Sequence, residues 1–211
     1  MTNFMNKLKS ISKMQLLAIL LIVAGIAIMV PKGLGMFEFY KEVKYATDNN
    51  FQAGNPSPDL LRPWMSIRYI SVAYAVPQEY LFNALNIQPK QENSMIGLNR
   101  LNGKMKLGKH NSGPALMDTI RDAIIAYRAN PVVTGLIERQ VRDWMTVQYI
   151  ANSTGIPAET IFQQIGIPMD GNAFLPLGYL SNSVNYAGGP KALVAAIQKI
   201  VDSQAVQPVQ P

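Results

Sequence analysis

The chain has 211 residues, 48% of them apolar, and 19 Lys and Arg against 13 Asp and Glu, for a formal charge of +6. That length allows one or two small domains plus an anchor, with enough apolar surface for a core. With no cysteine and one histidine, disulfides, thiolate chemistry, Cys-ligated metal centres, histidine metal clusters and a Ser-His-Asp triad are excluded.

Residues 1–13 form a basic flank holding Lys7, Lys9 and Lys13. Residues 14–31 carry no charge between Lys13 and Lys32, and at ~1.5 Å per residue they reach roughly 27 Å, enough for a hydrocarbon core. Phe39 and Tyr40 follow as an interfacial belt. The competing reading is a cleaved signal peptide, but its one small-x-small site, Gly25-Ile26-Ala27, lies inside the apolar run. We therefore expect an uncleaved, single-pass transmembrane anchor. Lys32, Lys41 and Lys44 balance the three N-terminal lysines, so orientation rests on the free amine and the absence of acidic residues before Lys13. We expect the N-terminus in the cytoplasm and the C-terminal domain outside it. Without the three N-terminal lysines the charge falls to +3, weak grounds for a nucleic-acid partner.

Residues 32–59 read as a stalk and a Pro/Asn-rich linker, with a short amphipathic helix over 37–47. The folded unit is expected to begin near Leu60. There the chain starts to repeat itself: Arg62-Pro63-Trp64-Met65-Ser66-Ile67-Arg68-Tyr69-Ile70 returns as Arg142-Asp143-Trp144-Met145-Thr146-Val147-Gln148-Tyr149-Ile150, 80 positions on. Val76-Pro77-Gln78-Glu79 likewise matches Ile156-Pro157-Ala158-Glu159. Repeat unit 1 is set at 60–131 and repeat unit 2 at 132–203, with a disordered tail over 204–211. Stacked copies of one supersecondary unit are expected to share one continuous core. Trp64, Tyr69, Phe82, Trp144, Tyr149 and Phe162 are its expected anchors.

Trp64, Ile67, Ile70 and Tyr74 fall at helical spacing, and proline then starts a second helix over 78–85. The second copy repeats this with the turn Thr154-Gly155-Ile156-Pro157, and a helix over 132–152 is expected to join the copies. Residues 88–93 and 168–172 read as polar connections. Ile96-Gly97-Leu98 is aligned with Leu177-Gly178-Tyr179, and amphipathic helices are expected over 115–129 and 191–203. Strand signals are nearly absent, so the fold class is all-α.

Ala151, Gly155, Ile156 and Ile161 sit where the helix-turn-helix family places its small, turn and aliphatic residues, and the second copy resembles that family over about 20 residues. The first copy departs from it, with Ser71 and Ala75 in place of the small and turn residues. The resemblance implies a recognition helix, yet 77–85 and 157–165 contain no Lys or Arg, and Glu79 and Glu159 stand in their first turns. Phosphate would be repelled there.

Gly103-Lys104-Met105-Lys106-Leu107-Gly108-Lys109-His110 fits the spacing of a phosphate loop, but no buried strand precedes it and His110 replaces the metal-binding hydroxyl. What remains is a cationic loop of Arg100, Lys104, Lys106, Lys109 and His110, a candidate contact for an anionic surface such as acidic lipid. Glu79 and Glu159 are explained by helix starts. No carboxylate pair or cofactor motif gives positive support for an enzyme, and no cofactor or metal is expected. The function expected is a non-enzymatic interaction or scaffolding protein at a membrane, with a protein partner. The alternative is a membrane-tethered helix-turn-helix DNA-binding regulator with its domain in the cytoplasm.

Overall fold

The computed structural model describes residues 44–51, 56–110, 113–136 and 139–205. The expected transmembrane segment 14–31, its basic flank and most of the stalk lie outside the described residues. Among those described, no helix is long and apolar enough to cross a membrane. The chain divides into two compact units, 1–48 and 49–211. Of the first, residues 44–48 are helical and end on an ion pair of 2.7 Å between Lys44 and Asp48.

The second unit is mostly helical. After a 3-10 turn at Pro58–Leu60 come α1 (Ile67–Tyr74), α2 (Gln78–Ala84), α3 (Gln91–Met95) and α4 (Leu98–Lys104). A two-residue hairpin follows, β1 (Lys109–His110) against β2 (Gly113–Pro114), and then α5 (Leu116–Ala129). The series continues as α6 (Val147–Thr154), α7 (Ala158–Ile165), α8 (Leu177–Ser183) and α9 (Gly189–Ala205).

The duplication extends to individual hydrogen bonds. The Ser66 and Thr146 hydroxyls cap α1 and α6, each accepting from a tyrosine amide, Tyr69 or Tyr149, at 3.1 Å. An N-cap hydroxyl satisfies an amide that the first helical turn leaves open. Pro77 and Pro157 both stand at φ −55°, ψ 135°, one residue before α2 and α7. Their rings fix the angle of entry into the second helix. α4 and α8 are each clamped across the start of the first helix of their repeat. Leu98 and Leu177 donate to the Met65 and Met145 carbonyls, both at 2.8 Å. Asn99 and Gly178 donate to Pro63 and Asp143 at 2.9 and 2.8 Å. This pairing sets Leu98, not Ile96, opposite Leu177. At Gly97 a Cβ would stand 2.7 Å from the Trp64 carbonyl oxygen, which fixes glycine at that crossing.

Left-handed residues end the helices at matching places. Ala75 (φ 51°) corresponds to Gly155 (φ 77°), Asn86 (53°) to Gly166 (70°), and Lys106 (55°) to Asn185 (51°). Finally α5 packs on α2 and α4 as α9 packs on α7 and α8.

Several sequence expectations change. The first helix of each repeat starts at its hydroxyl cap, so Trp64 precedes α1, and 141–146 is non-helical. The expected joining helix over 132–152 is therefore absent up to Thr146 in its described part, where Gly135 stands at φ 86°. The polar connection 88–93 holds the start of α3. Both repeats lie within one compact unit, 49–211, in which the second repeat holds a core cluster of its own. The core around Tyr149, Phe162, Leu177 and Ile197 is built wholly from residues between Leu136 and Val201. In the first repeat Leu61, Ile70, Phe82, Leu98 and Ile120 are buried. Polar contacts cross between the repeats. Asn152 donates from Nδ2 to the Ala75 carbonyl at 2.6 Å while its Oδ1 accepts from Gln148 at 2.8 Å. Tyr127 donates to the Asn152 carbonyl at 3.4 Å, and the Arg68 guanidinium lies 5.4 Å from the Trp144 ring centroid.

Candidate functional site

Arg100 and Lys104 lie one helical turn apart on exposed positions of α4. Lys104 is drawn back toward the protein: Nζ donates to Asn93 Oδ1 at 2.8 Å and stands 3.8 Å from Glu92. Lys106 is exposed, in the left-handed conformation that ends α4. Lys109 and His110 form the first strand of the hairpin, in register with Pro114 and Gly113. The structure therefore strings the sequence-derived cations along the end of α4 and the hairpin after it, and attaches one of them to α3.

What fixes this segment is Asn102, which the sequence reading did not single out. Its side chain is buried in α4, and Nδ2 donates to the carbonyls of Leu107 and Gly108 at 2.9 and 3.1 Å. Oδ1 accepts the Leu116 amide at 3.2 Å. One amide thus satisfies both ends of the connection, including an amide in the open first turn of α5. In the second repeat the position carries Ser181, buried and with no hydrogen-bond partner for its Oγ. There the connection is only 184–188, against 105–115 here. The basic segment is thus an insertion into one repeat, with its own clasp. Setting α4 and α8 in register would have revealed it; the alignment of Ile96 with Leu177 concealed it.

A second feature belongs to both repeats. Glu79, Pro89, Lys90, Gln91 and Glu92 face Thr134, Gly135, Leu136 and Arg139 across an open cleft of about 970 Å³. The lining mixes both charges with amide and hydroxyl groups.

Of the expected core anchors, Phe82, Tyr149 and Phe162 are buried, and Trp144 packs partly buried against the second core. Trp64 is 39% exposed, its ring edge-on to Tyr69 at 5.1 Å. Burial pushes the Tyr149 hydroxyl up to about 12, with the Ser153 hydroxyl and the Gln78 backbone opposing it. On the helices that would read DNA, Asn83, Gln163 and Gln164 are exposed, without a cation among them. Among the described residues no group of three or more His, Cys, Asp or Glu is placed to hold a metal ion. No family model matches the chain, and no curated protein or solved structure matches it either.

Proposed function

We propose that this chain is a non-enzymatic interaction module, a scaffold held at a membrane by the apolar segment 14–31. Its tandem helix-turn-helix-like repeats stand outside the cytoplasm and present a shared surface to a protein partner. The observation that supports this reading is the inter-repeat cleft. It is open, polar and bordered by Glu79, Glu92, Lys90 and Arg139, a lining suited to an extended peptide carrying both charges. A duplicated helical unit offers such a surface wherever two copies meet.

The chain has no cysteine, so Gln91→Cys places a single crosslinker at the cleft. In native membranes the full-length variant stays in the pellet after alkaline carbonate washing and gives a discrete adduct. Glu79→Lys with Glu92→Lys abolishes that adduct. Release of a soluble product beginning near Ile28 would overturn the anchor, and an adduct indifferent to the charge reversal would overturn the cleft.

A further inference from the structure

Leu107 has no role in the packing described so far. It is 41% exposed, with Lys106 before it and Lys109 two residues after. The adjacent backbone is not loose, because Asn102 holds the carbonyls of Leu107 and Gly108. An exposed aliphatic side chain on a clasped loop gains nothing in water. Among lysines it has the composition of a segment that lies in the lipid interface, with cations at the headgroups and an apolar tip below them.

We propose that the turn after α4, residues 105–108, is an anionic-membrane contact. Lys106 meets the phosphate and carboxylate groups of acidic lipid, the charges of Arg100 and Lys109 add long-range attraction, and Leu107 enters the acyl boundary. Nucleic acid fits this segment less well. Its phosphates would reward the cations but leave Leu107 in water, and 105–115 holds no Phe, Tyr or Trp for a base to stack on. The contact is separate from the cleft and does not depend on a protein partner.

Gly108 allows a direct test, since a Cβ there meets no atom within 4 Å. Gly108→Cys in the full chain, labelled with an environment-sensitive dye, is reconstituted into phosphatidylcholine nanodiscs with and without about 30 mol % phosphatidylserine. The dye shifts to the blue only in the acidic discs, and high salt reverses the shift. Lys106→Ser and Lys109→Ser each weaken the response about fivefold. Leu107→Ser removes the blue shift but leaves the salt-sensitive attraction, measured as vesicle co-sedimentation. If the chain does not enter discs, the anchor has failed on its own, and acidic vesicles added to the soluble chain decide the loop by the same dye. Identical emission with and without phosphatidylserine would overturn the contact. So would an equal shift with duplex DNA or with inorganic phosphate, or an unchanged shift in Leu107→Ser.

Discussion

The two repeats share caps, clamps and helix order, and they differ where a backbone conformation or a buried polar group must be accommodated. Repeat two places Gly155, Gly166 and Asn185 at its left-handed positions, residues that adopt φ > 0 cheaply. Repeat one holds Ala75, Asn86 and Lys106 in the same conformations. Repeat one also buries an asparagine whose side-chain nitrogen and oxygen are both used, while repeat two keeps a buried hydroxyl with no partner. One fold therefore tolerates two local solutions, provided the caps and the clamp are retained. The copy with the less relaxed backbone is the one that carries the additional surface.

The largest expected effect tests whether the cores are separate. Phe82→Ala and Phe162→Ala each cost about 3–5 kcal/mol in their own repeat. Trp64 and Trp144, one in each repeat, report the two unfolding transitions by fluorescence when the other is changed to Phe. A single transition, moved equally by either mutation, would break the comparison. Next comes pH. Below pH 10 Tyr149 is protonated in both states and adds no pH dependence. Between about 10 and about 12 the unfolded chain ionises and the buried hydroxyl does not, so repeat two loses about 2–3 kcal/mol over that window. Alkaline denaturation monitored at Trp144 should show the loss, and Tyr149→Phe should flatten it.

The clasp gives the third test. Asn102→Ala leaves two carbonyls and the Leu116 amide without their partner, costing about 1–3 kcal/mol by chemical denaturation. Ser181→Ala removes an atom that has no hydrogen-bond partner and should leave repeat two unchanged or more stable. Equal losses would remove the distinction between the two positions. The smallest effects concern the first turn. Gly155→Ala introduces a Cβ at φ 77° and 3.2 Å from Val133 Cγ2, for a loss of about 1–2 kcal/mol. Ala75→Gly relieves the matching strain but frees the unfolded chain, for a net gain of about 0.5 kcal/mol. Melting temperatures should move in opposite directions.

The sequence made the duplication legible where the same residue recurs 80 positions on: Trp64 and Trp144, Pro77 and Pro157, Phe82 and Phe162. It made the cations legible as well, because charge in a glycine-rich loop is visible without coordinates. The clamp of α4 and α8 was not visible, since its hydrogen bonds join backbone groups and leave no residue signature beyond Gly97. The joining helix was misread because no weight was given to Gly135, which stands at φ 86° within it. The second repeat's own core stayed hidden for a different reason. Apolar spacing shows which face is buried and not which element covers it, and it is silent on Asn152 reaching Ala75.

That reach has a mechanical consequence. Hydrogen bonds and a cation–ring contact cross between the repeats, and each repeat buries apolar side chains of its own. Under tension along the chain the joint is expected to yield first, the two helical bodies separating while both remain folded, an order that single-molecule stretching checks. The molecule is then extensible in stages: the first step lengthens it by the slack between α5 and α6, and only later steps melt helices.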